Sequence, residues 1–585
     1  MYTNKQSRLR GARIAGALLI CWASIAHAAS PEWRMLTTPR FTVVSQLSES
    51  KTLVWAKQFD QFIDALATAM PLDQRFLPPL TVVVFDSDRK FEPYKPLRPD
   101  GKTASVAGFF SNQETWGVIG MSDRYDAETT RRVIYHEAVH WFFRADPLSL
   151  PAWFDEGFAD LFSTMRFRGD NVVLGDVVDG HVYALNTMKR LSLEKVITLT
   201  RGDPLFNSDH RTGMFYSESW AFAHYLLFGN PEYGRAALGA YLAGLRSKSP
   251  DIAFQGAFGK TYEEMHGVLS DYMRYGKYKP IVVPVKRKEV QAKVTEASPQ
   301  SIESVLARLA FSANRLDLAQ AHADKAISLG PDDPVGHDMQ ALLAMRKQAH
   351  NSAFNAAAKA LNLGSTNPQT CMIAVMELWR QDAKVNAKDI AYLSRRAIGL
   401  WPRYKIAYQN LNAAIHSLDI PSEDDVKLMT LAHKLYEQDH DITLGLALAL
   451  AKTGQSDSAL EFLDAVLGAE ATPRIQEQAR GIFGFIVQKQ YMPKIDALVR
   501  NNDFTAALAQ LDQLRAAVGD EQLQNNLAEI RGGVELTASF RAAEKAVRAG
   551  KRNEAAALYR GIIARDGTPP SAKKAAQDAL KRLRL

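Results

Sequence analysis

Residues 135–160 read "YHEAVHWFFRADPLSLPAWFDEGFAD". His136 and His140 stand four apart, so a helix sets both imidazoles on one face. Two histidines so placed can bind one Zn2+, and Glu137 then lies beside the metal, where a carboxylate can handle a bound water. A zinc site needs a third protein ligand. The stretch "SLPAWFDEGFADLF" reads as a second helix with Pro151 near its first turn, and Glu156 on it is the candidate. Asp160, one turn beyond Glu156 on the same face, can accept a hydrogen bond from the free ring nitrogen of a ligating histidine and so fix its tautomer. Gly157 inside this helix costs about 1 kcal/mol against alanine. A close approach of two helices around a metal would account for it. Without a metal, two histidines and two carboxylates would lie in an apolar stretch and each would need a partner.

These side chains must be positioned by the elements around them. "TTRRVIYHEAVHWFF" holds no proline or glycine, which suits a helix. Upstream, "FTVVSQ" is β-rich, residues 51–70 carry a helical pattern of Leu53, Val54, Phe59, Phe62, Ile63, Leu66 and Met70, and "LTVVVFDS" is a short apolar run expected as a buried strand. "VAGFFSNQETWGVIGM" predicts a hairpin turning at its polar "SNQE". From residue 129 to about 275 the pattern is mostly helical. Strands first and helices after predict an α+β domain.

At this point the residues resemble a known group. "HEAVH" followed by "PAWFDEGFAD" is similar to the gluzincin metallopeptidases of the peptidase MA-like group, in which two helix histidines precede a Trp-x-x-Glu-Gly segment. The likeness spans about 33–275. It implies a thermolysin-like cleft, one zinc per chain held by His136, His140 and Glu156, Glu137 as general base, and Asp160 orienting a histidine. It also implies that a strand edge, here "AGFFSNQE", holds an extended peptide substrate. In related gluzincins a tyrosine or histidine downstream of the third ligand steadies the oxyanion. Tyr216 matches by its "YSESW" context at the expected start of a helix, and His210 in the preceding polar loop is the rival. The Gly-x-Met-Glu-Asn segment of the large aminopeptidase family is absent, and Glu114 lacks that context, so an endopeptidase is expected. His181, His224 and His266 read as surface or satisfied helix histidines.

The rest of the chain sets the organisation. Residues 1–28 carry Lys5, Arg8, Arg10 and Arg13, then an apolar run and "AHA", the pattern of a signal peptide cleaved after Ala28. The expected product is exported, with a periplasmic location and an extracellular alternative. The formal net charge of +7 includes those four cations, so +3 remains, and no nucleic-acid partner is implied. Beyond the leader only Cys371 remains, which excludes an intrachain disulfide. No other run is long and apolar enough to span a membrane. The domain expected at 29–280 is followed by a proline- and charge-rich linker at 281–300. After it, "KAISLGPDDP" at 325 recurs as "KALNLGSTNP" at 359, 34 residues on, the period of tetratricopeptide repeats, and 301–585 is expected as an all-α repeat superhelix that binds a protein partner. Two functions follow: an exported zinc metallopeptidase with a protein-binding repeat domain, or an adaptor whose zinc domain is structural or inactive.

Overall fold

The computed structural model describes residues 33–583 apart from 71–73, 99, 124–126, 145–149, 201–202, 204–208, 246–247, 275–277, 286–293, 383 and 470. The expected leader and its cleavage point lie outside the described residues.

The chain enters through β1 (Arg34–Thr37) and β2 (Phe41–Ser45), an antiparallel pair. Helix α1 (Glu49–Ala69), capped by the Ser48 side chain on Lys51 N, crosses over to β3 (Leu80–Phe85), which runs parallel to β2. A short turn of helix, α2 (Asp88–Phe91), leads on to β4 (Gly108–Asn112) and β5 (Gly117–Ser122). These two strands form the predicted hairpin, and β5 pairs parallel with β3. Because α1 makes a crossover rather than a hairpin, the strands are not purely antiparallel, and the front region is mixed α/β rather than strands followed by separate helices.

Helix α3 (Ala127–Phe143) carries both histidines and α4 (Ala152–Ser163) carries Glu156. Then come β6 (Arg166–Arg168), β7 (Asn171–Leu174), α5 (Asp179–Thr187), α6 (Leu193–Thr198) and α7 (Asp209–His224). Three further helices, α8 (Pro231–Gly244), α9 (Pro250–Phe258) and α10 (Tyr262–Arg274), close the helical half. The stretch read as a linker contributes two strands. β8 (Ile281–Pro284) pairs with β7, and β9 (Thr295–Glu296) pairs with β1. The larger sheet therefore has the order β4-β5-β3-β2-β1-β9, with β4 at one edge.

Both faces of this sheet are covered, which is why β3 reads as a continuous apolar run. On one face Val82, Val84, Ile119 and Met121 share a core with Phe59, Phe62 and Ile63 of α1 and Ile134, Tyr135 and Ala138 of α3. Tyr135 stacks on Phe62 at 3.9 Å between ring centres. The other face meets α11 (Pro299–Ser312): a Cβ on Gly120 of β5 would lie 2.6 Å from Leu309 Cδ1. Tyr94, packed on Phe85, bonds His322 of α12 (Leu316–Leu329) at 2.9 Å. The first compact unit accordingly runs to Ser365 and takes in α11, α12, α13 (Pro334–Arg346) and α14 (His350–Asn362); the second is Thr366–Leu585.

The repeat is visible in its small residues. Ala319, Ala323 and Ala326 are buried on α12; Ala353, Ala357 and Ala360 occupy the same places on α14, and Ala387, Ala391 and Ser394 on the helix Ala387–Leu400, each set 34 residues after the last. Alanine there lets helices of neighbouring pairs approach closely. Asn314 and Gln348, also 34 apart, take left-handed backbone (φ 57° and 59°) in the turn inside each pair. In the second unit, helices of about 13 residues continue until a helix of 28 residues, Glu521–Arg548, departs from the pattern.

Candidate metal centre

His136 and His140 project from one face of α3 with their rings at 82° and centroids 4.8 Å apart. Their Nε2 atoms lie 3.2 Å from each other. Glu156 Oε2, from α4, is 3.5 Å from each of them. Zinc bonds of about 2.0–2.1 Å in a tetrahedron put neighbouring ligand atoms about 3.3–3.4 Å apart. Three edges of such a tetrahedron are thus already laid out, and among the described residues this is the group of histidines and carboxylates able to hold a metal.

The remaining ring nitrogens explain the aim. His136 Nδ1 bonds Asp160 Oδ1 at 2.9 Å, and His140 Nδ1 bonds Asp155 Oδ1 at 2.8 Å. A nitrogen facing a carboxylate carries the proton it donates, so the Nε2 lone pairs are left to converge with Glu156. The donor set of two imidazoles and one carboxylate fits zinc, whose binding would displace the protons that the surrounding carboxylates otherwise draw onto the imidazoles.

The charges respond to this crowding. Burial opposes charge on His140, yet Glu156 and Asp155 outweigh it and lift the imidazole to about 9. His136 is likewise raised against its burial, by the hydrogen bonds it donates to Asp160 and Glu156. Burial alone would raise Glu156, but the two histidines hold it far below the usual carboxylate range. Asp160 is brought down to about 2, its burial overcome by His136 and His181.

Glu137, beside the His136–His140–Glu156 triangle, also reaches the sheet. Its Oε2 accepts the Phe110 N–H of edge strand β4 at 2.9 Å. Burial pushes this carboxyl upward despite the nearby histidines. Glu137, edge strand β4 and the His136–His140–Glu156 group therefore lie close together.

Two partners escaped the sequence reading. Asp155, next to Glu156, orients His140 and reaches Arg144 through its second oxygen at 3.3 Å. The signal was a charged residue in the otherwise apolar "AWFDEGF", since a buried carboxylate needs a donor. His181, read as a surface or satisfied histidine, is satisfied at the centre: its Nε2 bonds Asp160 Oδ2 at 2.7 Å. It sits on the first turn of α5, and only the packing of α5 beside α7 brings it there.

Tyr216 requires a correction of place. Helix α7 starts at Asp209, so Tyr216 lies in its second turn rather than at its beginning, and His210 lies on the first turn rather than in a loop. The His210 side chain falls outside the described residues. Tyr216 is half-buried and lines a cavity of about 470 Å3 with His136, Asp160, His181 and Ser217. Gly157 is also reassigned. A Cβ there would lie 2.4 Å from Ser219 O, so the close approach is between α4 and α7 behind the site, not between the two ligand helices. His224 is a satisfied helix histidine, as expected, bonded to Tyr272 and to Gly175 O.

No family model matches the chain. No curated protein matches it either. Among solved structures, YrrB, a tetratricopeptide repeat protein with an unusual peptide-binding site, is 18% identical over 31% of this chain and 90% of its own, at a TM-score of 0.25. A tetratricopeptide repeat protein from Parabacteroides merdae is 9% identical over 49% of this chain and 99% of its own, at 0.21. Yeast Tom70 is 13% identical over 73% and 91%, at 0.18.

Proposed function

We propose that the protein is a zinc-dependent metallopeptidase, of the gluzincin type and more an endopeptidase than an exopeptidase, whose helical repeats bind a protein partner. The observation that carries the reading is the convergence of His136 Nε2, His140 Nε2 and Glu156 Oε2 at tetrahedral separations, with both Nδ1 atoms held by carboxylates. His136, His140 and Glu156 would hold the zinc, which when bound supplies an acidified water and a polarised carbonyl. Glu137, within reach of the same space, takes the proton of the attacking water and passes it to the leaving amine. Edge strand β4 offers main-chain groups to an extended substrate in a thermolysin-like cleft. Tyr216, on the cavity wall beside His136, donates its hydroxyl proton to the charge that develops on the carbonyl oxygen. The basic, apolar and small-residue order of 1–28 supports export to the periplasm, and among the described residues no helix is long and apolar enough to cross a membrane.

The adaptor reading keeps one specific support: the helix pairs that begin at Pro299 fill about half of the described chain, and stacked pairs of this kind commonly bind proteins. In that reading the zinc domain is structural or inactive. The test is to purify residues 29–585, measure zinc per chain, and assay a broad peptide library with and without Glu137→Gln. One zinc per chain with cleavage lost in Glu137→Gln supports the peptidase. One zinc with no cleavage by either protein favours the adaptor, and cleavage that survives Glu137→Gln overturns the mechanism.

A further inference from the structure

The two orienting carboxylates share a construction. Each spends one oxygen on a histidine of the metal triangle and the other on a donor from elsewhere: Arg144 for Asp155, His181 for Asp160. The Asp160 side goes one step further. Ser217 Oγ lies 3.0 Å from His181 Nδ1 and 2.9 Å from Gly213 O in the preceding turn of α7; with the His181 Nε2–H facing Asp160, Nδ1 accepts from the hydroxyl, which shares its one proton between these two acceptors. A continuous chain thus runs from α7 through α5 and α4 to α3: Ser217, His181, Asp160, His136.

A serine, a histidine and an aspartate in sequence invite a nucleophilic reading. The geometry argues against it. Ser217 borders the cavity but is only 1% exposed, and its oxygen is already engaged by Gly213 O and His181 Nδ1. The chain is instead directed inward, at the imidazole of His136. Asp160 on its own could rotate about its terminal bond and release His136 Nδ1. With Oδ2 fixed by His181, and His181 fixed by Ser217, the carboxylate plane is set and Oδ1 stays on His136.

We propose that His181 is a positioning residue for the metal centre, acting through Asp160 to fix the tautomer and ring orientation of His136. This rests on the zinc reading of that centre. Outer partners of ligating histidines are worth about 10–100-fold in metal affinity when removed, and His181 belongs to that class at one further remove.

The experiment uses the full chain after its leader and reads zinc affinity by competition with a chromophoric chelator, without reference to turnover. His181→Phe keeps the ring volume and removes the donor; His181→Gln keeps an N–H that can reach Asp160. The expected result is a loss of about 10-fold in zinc affinity for His181→Phe, with His181→Gln close to the unchanged protein. Unfolding of the metal-free proteins is followed in parallel, so that affinity is compared only between chains that fold. The double variant Asp160→Asn with His181→Phe should bind zinc no more weakly than Asp160→Asn alone, because the second change acts only through the first. Equal affinity of His181→Phe and the unchanged protein overturns the proposal, as do equal losses in Phe and Gln variants or full additivity with Asp160→Asn. An unchanged protein that binds no zinc removes the metal centre and this inference with it, whereas zinc binding with an unaffected His181→Phe removes the inference alone.

Discussion

At the residue scale the centre is a set of three convergent atoms, its two histidines held by carboxylates that accept their Nδ1–H bonds. Taking away Glu156 leaves two histidines and an open site, a poor zinc site. Glu156→Ala is therefore expected to lose zinc on dialysis, and retention of one zinc per chain would reject it as a ligand. Asp155→Asn and Asp160→Asn keep the size of the side chain but weaken its hold on the Nδ1–H. Each should lower zinc affinity about 10–100-fold. A loss confined to Asp160 would mean that Arg144, not His140, is what Asp155 serves. Tyr216→Phe removes only a hydroxyl from the cavity wall. It should lower turnover about 10²–10³-fold with zinc content unchanged, and unaffected turnover would leave the oxyanion to another donor. The convergence of His136, His140 and Glu156 was legible because it is written in local spacing: four residues on one helix, and a carboxylate in a second helix. His181 was not, since nothing within residues 179–187 announces that α5 will lie beside Asp160.

Elements were legible where periodicity was strong. The buried strand 80–85, the hairpin 108–122 and the two ligand helices all follow from pattern. The start of α7 was misjudged because its first residues are polar and its apolar stripe begins only at Met214. Gly157 shows how a packing constraint hides in a single residue. Alanine would gain the helix about 1 kcal/mol in propensity. Its Cβ, however, would fall on the backbone oxygen of Ser219, and overpacking of that kind costs about 1–3 kcal/mol or more. Gly157→Ala should therefore destabilise in chemical denaturation, and a stabilised variant would mean that α4 and α7 can part. The same α7 carries His224, fully buried, donating from Nε2 to Gly175 O while Nδ1 takes the Tyr272 hydroxyl proton. Burial lowers this imidazole from 6.5 to about 4. Between those values the unfolded chain binds a proton that the folded one refuses, so stability falls as pH drops from about 6.5 to about 4, by on the order of 3 kcal/mol for the whole step. Above 6.5 the group contributes no slope. In His224→Gln the fall across that window should be shallower, and an unchanged slope would assign acid sensitivity to other groups.

At the scale of the whole molecule, composition and the 34-residue period separate a front region from repeats, but they put the seam in the wrong physical place. The proline-rich stretch near residue 281 looks like a linker from its composition. In the fold, β8 and β9 pair with β7 and β1, and α11 covers the second face of the sheet. The pattern of α11 is that of any repeat helix, so its partner was invisible in the sequence. The consequence is testable by truncation. A chain ending at residue 280 keeps α1 and α3 on one face of the sheet but strips α11 from the other, exposing Phe85, Phe91, Phe109 and Val118, all buried in the intact protein. At roughly 1.5–3 kcal/mol for each large apolar side chain returned to water, that loss matches the whole stability of an ordinary domain, about 5–15 kcal/mol. Residues 29–280 should therefore be insoluble or unfolded by near-ultraviolet circular dichroism. Residues 29–365 should fold cooperatively, since they retain α11 to α14. Residues 366–585 should fold by themselves, because each helix pair there buries its apolar face on its neighbours. A well-folded 29–280 would show that the second face of the sheet does not need α11, and the boundary would move back to the proline-rich stretch.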